Sequence, residues 1–296
     1  MSYIGRFAPT PTGPLHFGSL IAAVASYCDA RAAGGKWLLR MEDLDPPREM
    51  PGAARRIIEQ IKAYGFEWDG ELIFQSNRLH AYHDAIATLQ GAGHLFWCSC
   101  SRSELARNGS LMYPGHCREF KSPRRDAAVR VRVPQGSVAF TDRVFGVQEE
   151  DVAEAVGDFV ILRRDGLFAY QLAVVVDDAF QGVTDVVRGA DLLDNTARQI
   201  VLQNMLGLPT PRYLHLPLAL HADGSKLSKQ TFAKELPTPA ESLLVWQALT
   251  FLGQQPSSGL KTRSPRELLA WGIANWLPEN IPARQGFVPE AEGERP

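Results

Sequence analysis

Apolar positions follow two different periods in the first forty residues. Residues 3–8 and 36–41 are short apolar runs that favour buried strands. Residues 15–33 carry apolar side chains at helical spacing, and Gly34-Gly35 supplies a stop signal. The order strand, loop, helix, strand predicts a βαβ unit with a right-handed crossover.

The same α/β rhythm continues later in the chain after one interruption. Between residue 95 and about residue 148 the pattern is irregular, with short β-like pieces such as residues 129–133, so we expect an insertion between two halves of one α/β domain. The other predicted elements are helices at 53–64 and 78–90, apolar runs at 159–162 and 168–176, a strand at 183–188, and helices at 191–206, 240–252 and 265–276.

The composition excludes some classes of protein. The 296 residues are 45% hydrophobic, which is enough for a sizeable core and suggests about two domains. No apolar run reaches the ~18 residues of a membrane helix, and residues 1–6 lack the pattern of a signal peptide. The net charge of -2 argues against a nucleic-acid packaging protein but leaves room for a basic face within residues 102–132. We therefore expect a soluble, cytoplasmic protein.

A proline- and glycine-rich segment joins the first predicted strand to the first predicted helix. It runs Arg6-Phe-Ala-Pro-Thr-Pro-Thr-Gly-Pro-Leu-His-Phe-Gly-Ser19. Open α/β sheets bind ligands at the carboxyl ends of their strands, and a helix N-terminus offers N–H groups to phosphate. Gly13 and Gly18 permit close backbone approach, and His16 adds a donor. Taken alone, such a segment is more often a stiff loop, and such a histidine is more often structural.

A second segment, Lys226-Leu-Ser-Lys-Gln230, follows Asp223-Gly-Ser225. Two lysines three residues apart on a glycine-flanked loop are able to hold nucleotide phosphates. Taken alone, the pentapeptide is equally an exposed charged turn.

Together the two segments resemble the signatures of class I aminoacyl-tRNA synthetases. His16-Phe-Gly-Ser19 is similar to their His-Ile-Gly-His motif, and residues 226–230 are similar to their Lys-Met-Ser-Lys-Ser loop. Residues 6–16 are similar to the opening of the glutamyl- and glutaminyl-tRNA synthetase subgroup, where a small residue such as Ser19 is common. The resemblance implies a Rossmann-type parallel sheet that activates a carboxylic acid with ATP.

The resemblance also implies where ATP binds. His16, Gly18 and Ser19 would lie near the adenosine, Lys229 would hold the phosphates, and Mg²⁺ would accompany them. His16, Lys226 and Lys229 are the expected catalytic residues. In-line attack of a carboxylate on the α-phosphate needs positioning and charge stabilisation but no protein nucleophile.

A glutamate pocket is implied in the same way. Arg6 and Arg188 would meet carboxylates, because a guanidinium grips them in a bidentate fork. Glu42 would meet the ammonium group, and Tyr170 would add a hydroxyl. The other expected glutamate-binding residues are Phe7, Ala8, Pro9 and Thr10. On charge alone, aspartate or glutamine is an alternative substrate. The alternative role for Arg188 is an ion pair with Asp191, and for Glu42 it is a solvated charge at a strand end.

Three of the four cysteines cluster as Cys98-Ser-Cys100 and Cys117. In a cytosolic-looking protein this favours a metal over disulfides. A tetrahedral zinc site needs four ligands, and chemistry alone favours His116 as the fourth. Related small synthetase-like proteins show Cys-x-Cys-x(about 12)-Tyr-x3-Cys, which implies Tyr113. We predict one structural zinc on Cys98, Cys100, Tyr113 and Cys117, with His116 or unmetallated thiols as alternatives, and Cys28 as plain core.

Little sequence follows the second segment, whereas glutamyl-tRNA synthetase has a large anticodon-binding part there. In this respect the chain resembles the glutamyl-Q tRNA(Asp) synthetases, over residues 3 to about 235. Members of that family activate glutamate without tRNA and attach it to queuosine in the anticodon of tRNA(Asp). The implied partners are ATP, L-glutamate and the queuosine-bearing anticodon stem-loop, and we expect a monomer. The candidate RNA-backbone contacts, or else a solvated basic loop, are Arg102, Arg118, Lys121, Arg124 and Arg125.

Five units are expected from the pattern and the resemblance together. They are two halves of a catalytic domain at 1–94 and 151–212, an insertion with the zinc site at 95–150, a mainly helical stem-contact-like region at 213–286, and a disordered tail at 287–296. The rival functions are a truncated glutamyl-tRNA synthetase that charges a tRNA 3′ end, a non-catalytic tRNA-binding paralogue, and another adenylate-forming nucleotidyltransferase.

Overall fold

Parallel strands from both halves of the chain form the centre of the fold. The structure, a computed structural model, describes residues 2–101, 104–105, 113–221, 224 and 234–289. Its strands are β1 Ile4–Phe7, β2 Lys36–Met41, β3 Ile73–Phe74, β4 Leu95–Cys98, β5 Ala128–Val131, β6 Ser137–Asp142, β7 Gly146–Asp151, β8 Val160–Leu162, β9 Asp185–Gly189, β10 Arg212–Leu216, β11 Leu218–Ala219 and β12 Gly286–Phe287. Its α-helices are α1 Phe17–Ala32, α2 Ala53–Ala63, α3 Leu79–Gly91, α4 Val152–Ala155, α5 Tyr170–Phe180, α6 Thr196–Leu206, α7 Ser242–Phe251 and α8 Pro265–Ala274.

The parallel strands fall into two groups that meet at β1. In the first group β2 pairs in parallel with both β1 and β3. In the second, β10 pairs in parallel with β9 and with β6, and β7 is antiparallel to β6. The backbone amide of Thr184 donates to the carbonyl of Ile4 at 2.9 Å, which sets the start of β9 beside β1. The order β3-β2-β1-β9-β10-β6 confirms the predicted Rossmann-type α/β fold.

Helix α1 is buried almost all round, because its sequence is apolar or small on every face. It packs on β1 and β2 from one side and against α7 and α8 from the other. Trp37 of β2 lies at the centre of this core, stacked on Phe7 and Phe66 and in edge contact with Tyr27. A second core joins α3, α5 and α6 to the antiparallel strands.

Most predicted elements are confirmed to within a few residues, but the helix predicted at 191–206 is wrong at its start. Residues 190–195 form a 3₁₀ segment, and α6 begins only at Thr196. The carbonyl of Leu192 accepts from Arg188 and from the Thr196 hydroxyl, so side chains take the place of a regular helical turn. Gly207 ends α6 as predicted, with φ of 64°.

The irregular stretch after residue 95 contributes to two different sheets. Strands β4, β5 and β8 form an antiparallel sheet next to the cysteines. The β6–β7 hairpin instead joins the parallel sheet, where Asp142 is in register with Tyr213 of β10. None of the helices in the described ranges is both long enough and apolar enough to cross a bilayer.

Candidate active site

A cavity of about 770 Å³ opens at the carboxyl ends of β1, β2 and β9. It is bounded by the segment between β1 and α1 and by the N-termini of α1 and α5. The predicted site residues that line it are Arg6, Phe7, Ala8, Pro9, Thr10, His16, Gly18, Ser19, Glu42, Tyr170 and Arg188. Lys226 and Lys229 lie outside the described residues. The structure thus brings together every predicted glutamate-binding residue, and each of their roles stays a prediction.

Two backbone hydrogen bonds hold the segment between β1 and α1, which carries the first signature motif. The carbonyl of Pro9 accepts from the amide of Glu42 at 3.0 Å, and the carbonyl of Pro11 accepts from the amide of Met50 at 3.0 Å. His16 has extended backbone angles and is the N-cap of α1. The first turn of α1 therefore offers its N–H groups at the cavity wall, which Gly18 and Ser19 line.

Arg6 is buried and uses one of its five N–H groups on a carboxylate. Its Nε lies 3.1 Å from Oδ1 of Asp178, and Arg40 Nη1 lies 2.8 Å from the same oxygen. Burial alone raises the pKa of Asp178, but the two guanidinium groups outweigh it, and the pKa is lowered. Within the described chain Nη1 and Nη2 of Arg6 have no partner. They are thus available to a ligand in the cavity.

Glu42 and Tyr170 complete the polar wall of this part of the cavity. Arg40 Nη2 contacts Oε1 of Glu42 at 3.3 Å, and among the described residues none forms a hydrogen bond or ion pair with the other carboxylate oxygen. Burial raises the pKa of Glu42, although Arg40 and Arg6 act in the opposite direction. The pKa of Tyr170 is also raised by burial, and the charges of Arg188, Glu42 and Arg6 all act on its hydroxyl. These groups therefore form one electrostatic cluster.

Arg188 is buried, with 5% of its surface exposed, and its described partners are all uncharged. Nε donates to Nε2 of His215 at 3.0 Å, and Nη1 donates to Oε1 of Gln199 at 2.8 Å. Nη2 donates to the Thr196 hydroxyl at 2.8 Å and to the carbonyl of Leu192 at 3.2 Å. Among the described residues no carboxylate, Asp191 included, forms an ion pair with Arg188. One N–H of Nη1 remains for a ligand.

Sequence reasoning missed the residues that hold these arginines. Arg40 and Asp178 form the ion pairs beside Arg6, and Asp142 and His215 lie behind Arg188. Each is a polar residue inside or at the end of an apolar run, such as Arg40 in Trp-Leu-Leu-Arg-Met. A polar residue in a buried strand or helix needs a polar partner, so its position within an apolar run is a sequence signal for a buried hydrogen bond or ion pair.

The cysteine cluster is assembled as predicted. The sulfur atoms of Cys98, Cys100 and Cys117 all lie within 4.8 Å of one another, so the three are able to hold a metal ion. The hydroxyl oxygen of Tyr113 accepts from the amide of Cys117 at 2.5 Å. Burial raises the pKa of Cys117, but hydrogen bonds from Tyr113 and the neighbouring groups lower it to about 7. His116 is exposed and does not belong to the cluster.

The basic residues of this region divide into two kinds. Arg118 makes a bidentate ion pair with the buried Asp158, at 2.6 and 2.9 Å, so it holds the cysteine segment in place. Lys121, Arg124 and Arg125 are exposed, and the Arg124 guanidinium covers the ring of Phe120 at 3.8 Å. Arg102 lies outside the described residues. Cys28, by contrast, is fully buried in the core, as predicted.

Comparison with known proteins identifies the family. Residues 4–236 match the family model of tRNA synthetases class I (E and Q), catalytic domain. This match contains both the cavity and the cysteine cluster. The chain therefore belongs to the class I tRNA synthetases of the E and Q type, and it is a ligase.

Curated relatives narrow this to one branch of the family. The chain is 58% identical over 291 residues to the glutamyl-Q tRNA(Asp) synthetase of Ectopseudomonas mendocina. It is 55% identical over 289 residues to that of Pseudomonas paraeruginosa. Both alignments cover 98% of this chain and 98% of the relative, so the chain groups with the glutamyl-Q tRNA(Asp) synthetases.

Solved structures confirm the fold. The crystal structure of a glutamate tRNA ligase from Elizabethkingia meningosepticum, in complex with its amino acid, superposes with a TM-score of 0.79. The two sequences are 23% identical, and the match covers 96% of this chain and 66% of that one. At this identity the likeness concerns the architecture alone.

Proposed function

We propose that this chain activates L-glutamate with ATP in the cavity, without tRNA, and then transfers the glutamyl group to queuosine in the anticodon of tRNA(Asp). The observation that carries the first half is Arg188. A buried guanidinium whose described partners are all neutral needs an anion to offset its desolvation, and it lines a cavity of ligand size. A carboxylate of the substrate supplies that anion.

The remaining polar groups select an amino acid with a second carboxylate. Arg6 offers four unused N–H groups, enough for a bidentate contact with one carboxylate, while Arg188 donates its remaining N–H to the other. The free oxygen of Glu42 accepts from the ammonium group, and the Tyr170 hydroxyl adds a neutral contact. An uncharged side chain such as that of glutamine would leave Arg188, whose described partners are all neutral, without an anion.

ATP takes the other end of the cavity. The N-terminus of α1, with Gly18 and Ser19, favours negative charge through its free N–H groups and its dipole. The segment after the second motif returns to the same place, since the amide of Leu236 donates to the carbonyl of Leu15 at 2.8 Å. Lys226 and Lys229 are thus expected at the phosphates, and Mg²⁺ bound to ATP adds positive charge there.

The reaction has two steps that need no nucleophile from the protein. An oxygen of the glutamate carboxylate attacks the α-phosphorus, the bond to the β-phosphate oxygen breaks, and pyrophosphate leaves. A queuosine hydroxyl then attacks the carbonyl carbon of glutamyl-adenylate. The hydroxyl proton passes to solvent, the bond from that carbon to the phosphate oxygen breaks, and AMP leaves. The cationic groups of the cavity stabilise the charge that develops in both steps.

The acceptor is proposed from the relatives and from one exposed surface. The relatives of near-equal length are named for glutamyl-Q and tRNA(Asp). Lys121, Arg124 and Arg125 form a basic surface, and the partly exposed ring of Phe120 adjoins it. Such a surface suits the phosphates and unstacked bases of an RNA loop.

The cysteine cluster fits a structural zinc ion. The three sulfur atoms are close together, and two of the three cysteines are almost fully buried. The pKa of Cys117 is lowered, which favours a thiolate, whereas burial raises the pKa of Cys100 to about 12, so a metal that binds there has to displace the Cys100 proton. The Tyr113 hydroxyl is the fourth ligand we propose, because it is directed at the same cluster and His116 is not. When bound, zinc supplies a cross-link between β4 and the segment that ends at Cys117.

The first test is pyrophosphate exchange without tRNA. Exchange that depends on glutamate, with little response to glutamine or aspartate, is the expected result. Labelled glutamate is then offered to tRNA(Asp) with and without queuosine, and the tRNA is cleaved to separate the anticodon from the 3′ end. Label in the anticodon fragment of the modified tRNA alone is expected. Equal labelling of both tRNAs, or label at the 3′ end, would refute the acceptor, and no exchange would refute activation.

A further inference from the structure

A buried chain of hydrogen bonds runs behind Arg188, away from the cavity. His215 accepts from Arg188 Nε through Nε2 at 3.0 Å and contacts Asp142 Oδ2 through Nδ1 at 2.7 Å. His215 is fully buried, and Asp142 and Arg188 are 2% and 5% exposed. Neither Asp142 nor His215 lines the cavity. These hydrogen bonds therefore act on a ligand in the cavity through Arg188.

The donors and acceptors determine which imidazole nitrogen carries the proton. Guanidinium nitrogens only donate, so Nε2 of His215 must accept from Arg188. The proton is then on Nδ1 and is donated to the Asp142 carboxylate. Burial and the nearby Arg188 charge lower the pKa of His215 despite the Asp142 carboxylate, which agrees with a neutral ring. His215 thus takes up one Arg188 N–H without neutralising its charge.

Asp142 is held as a carboxylate by several other donors. Its Oδ1 accepts from the amides of Val144 and Phe145, both at 2.9 Å. Its Oδ2 accepts from the backbone amide of His215 at 3.1 Å as well as from the ring. Burial raises the pKa of Asp142, but these hydrogen bonds outweigh it, and the pKa is lowered. The negative charge stays on Asp142, where these hydrogen bonds stabilise it, and His215 separates it from Arg188.

We infer that Asp142 and His215 are positioning residues. They orient Arg188 toward the glutamate carboxylate that Arg188 binds, and they leave the positive charge of Arg188 uncompensated. The inference rests on the proposed function, in which Arg188 binds that carboxylate. His215, Gln199, Thr196 and Leu192 take four of the five N–H groups, so the fifth has one defined direction. If a carboxylate of the protein contacted Arg188 directly, it would occupy this fifth N–H group. It would also cancel the positive charge that selects an anionic side chain.

The strands bring these three residues together from distant parts of the chain. Arg188 and His215 are in register on the neighbouring strands β9 and β10, and Asp142 ends β6 on the other side of β10. The β6–β7 hairpin therefore has a function in the site, although it lies in the stretch that the sequence predicts as an insertion. Its contribution is the carboxylate that sets the tautomer of His215.

Asp142→Asn tests the inference through that tautomer. The amide nitrogen of asparagine donates, so it favours a proton on Nε2 of His215, which then faces the N–H of Arg188 and breaks the hydrogen bond. We expect the KM for glutamate in pyrophosphate exchange to rise about tenfold or more, and the KM for ATP to stay within about twofold. Imidazole ¹⁵N spectra should show the proton moving from Nδ1 to Nε2. An unchanged glutamate KM would overturn the inference.

Two further variants separate positioning from folding. His215→Gln offers an acceptor to Arg188 and should keep most glutamate affinity, whereas His215→Phe offers none and should lose it. Equal loss in both variants would overturn the inference. Asp29→Asn removes another buried carboxylate, one that pairs with Arg143, and should lower the melting temperature without changing the glutamate KM. Absence of glutamate-dependent exchange in the unaltered protein would refute the proposed function instead.

Discussion

At the scale of single residues, the three buried arginines of the site have different amounts of unused hydrogen-bonding capacity. Arg6 keeps four N–H groups among the described contacts, Arg188 keeps one, and Arg40 serves Asp178, Glu42 and Gln181. The resemblance to the glutamyl- and glutaminyl-tRNA synthetases implied Arg6 and Arg188. It did not indicate their partners, since Asp178 is 172 positions from Arg6 and only the fold brings them together.

His215 gives the protein a predictable loss of stability in mild acid. Its folded pKa is lowered from 6.5, so the unfolded chain takes up a proton more readily than the folded one. The contribution is complete above about pH 6.5 and is lost as the pH falls toward the lowered pKa. We expect the contribution of this group to the free energy of urea unfolding to decrease between pH 7.5 and 5.5.

The matched variant for this measurement is His215→Gln, which cannot titrate. Its unfolding free energy should decline less over the same interval than that of the unaltered protein. Identical declines in the two proteins would show that His215 is not responsible.

At the scale of elements, helix α2 joins the two signature motifs through one buried side chain. Gln60 accepts from the amide of Leu15 at 2.8 Å and donates to the carbonyl of Leu236 at 2.8 Å. Leu15 precedes His16, and Leu236 follows the second motif by a few residues. The helical period predicted α2 correctly but not this role, because a polar position on an amphipathic helix is usually exposed.

Gln60→Leu should therefore disturb ATP binding more than glutamate binding. It leaves the Leu15 N–H and the Leu236 carbonyl without their partner, at a cost of about 1–3 kcal/mol for each. We expect a several-fold higher KM for ATP in pyrophosphate exchange and a smaller change for glutamate. Gln254→Leu is the control, since Gln254 is also buried but bonds to Leu252 and Leu277, which do not line the cavity. Equal effects of both variants on ATP would contradict the prediction.

The cysteine segment allows a direct comparison of the two candidate fourth ligands. Tyr113→Phe removes the hydroxyl that reaches the cluster, whereas His116→Ala removes an exposed ring outside it. We expect Tyr113→Phe to release zinc to a chelator about tenfold or more faster, and His116→Ala to behave like the unaltered protein. Metal content by atomic absorption and release followed by a zinc-sensitive dye would check this. The opposite order would assign the ligand to His116.

At the scale of the whole molecule, the site depends on segments that the sequence pattern separates. The motif between β1 and α1 and the cysteine spacing were recognisable because each is contiguous. Asp142 was not, because the β6–β7 hairpin is polar, partly exposed and placed in an irregular stretch, so nothing local shows that it joins the parallel sheet. Strands β6 and β10 pair at only one register position, which is too short to leave a pattern in the sequence.

Transfer to RNA should depend on a surface that adenylate formation does not use. Arg124→Glu reverses a charge on the exposed basic surface beside Phe120, which does not line the cavity. We expect labelling of tRNA to weaken several-fold, with a smaller effect at high salt, and pyrophosphate exchange to stay unchanged. Arg55→Glu, an exposed reversal on α2, is the control. Equal losses of tRNA labelling in the two variants would show that this surface does not contact the RNA.

Asp29 of α1 has a consequence for how the protein matures during its synthesis. This buried carboxylate accepts from Tyr3, from Arg143 and from the indole of Trp276, which lies 247 positions further along the chain. At about 5–20 residues per second, the ribosome adds Trp276 roughly 12–50 s after Asp29. The nascent chain therefore carries an incompletely paired carboxylate in α1 throughout that interval. A ribosome that stalls before it has added Trp276 would leave a polypeptide open to proteolysis.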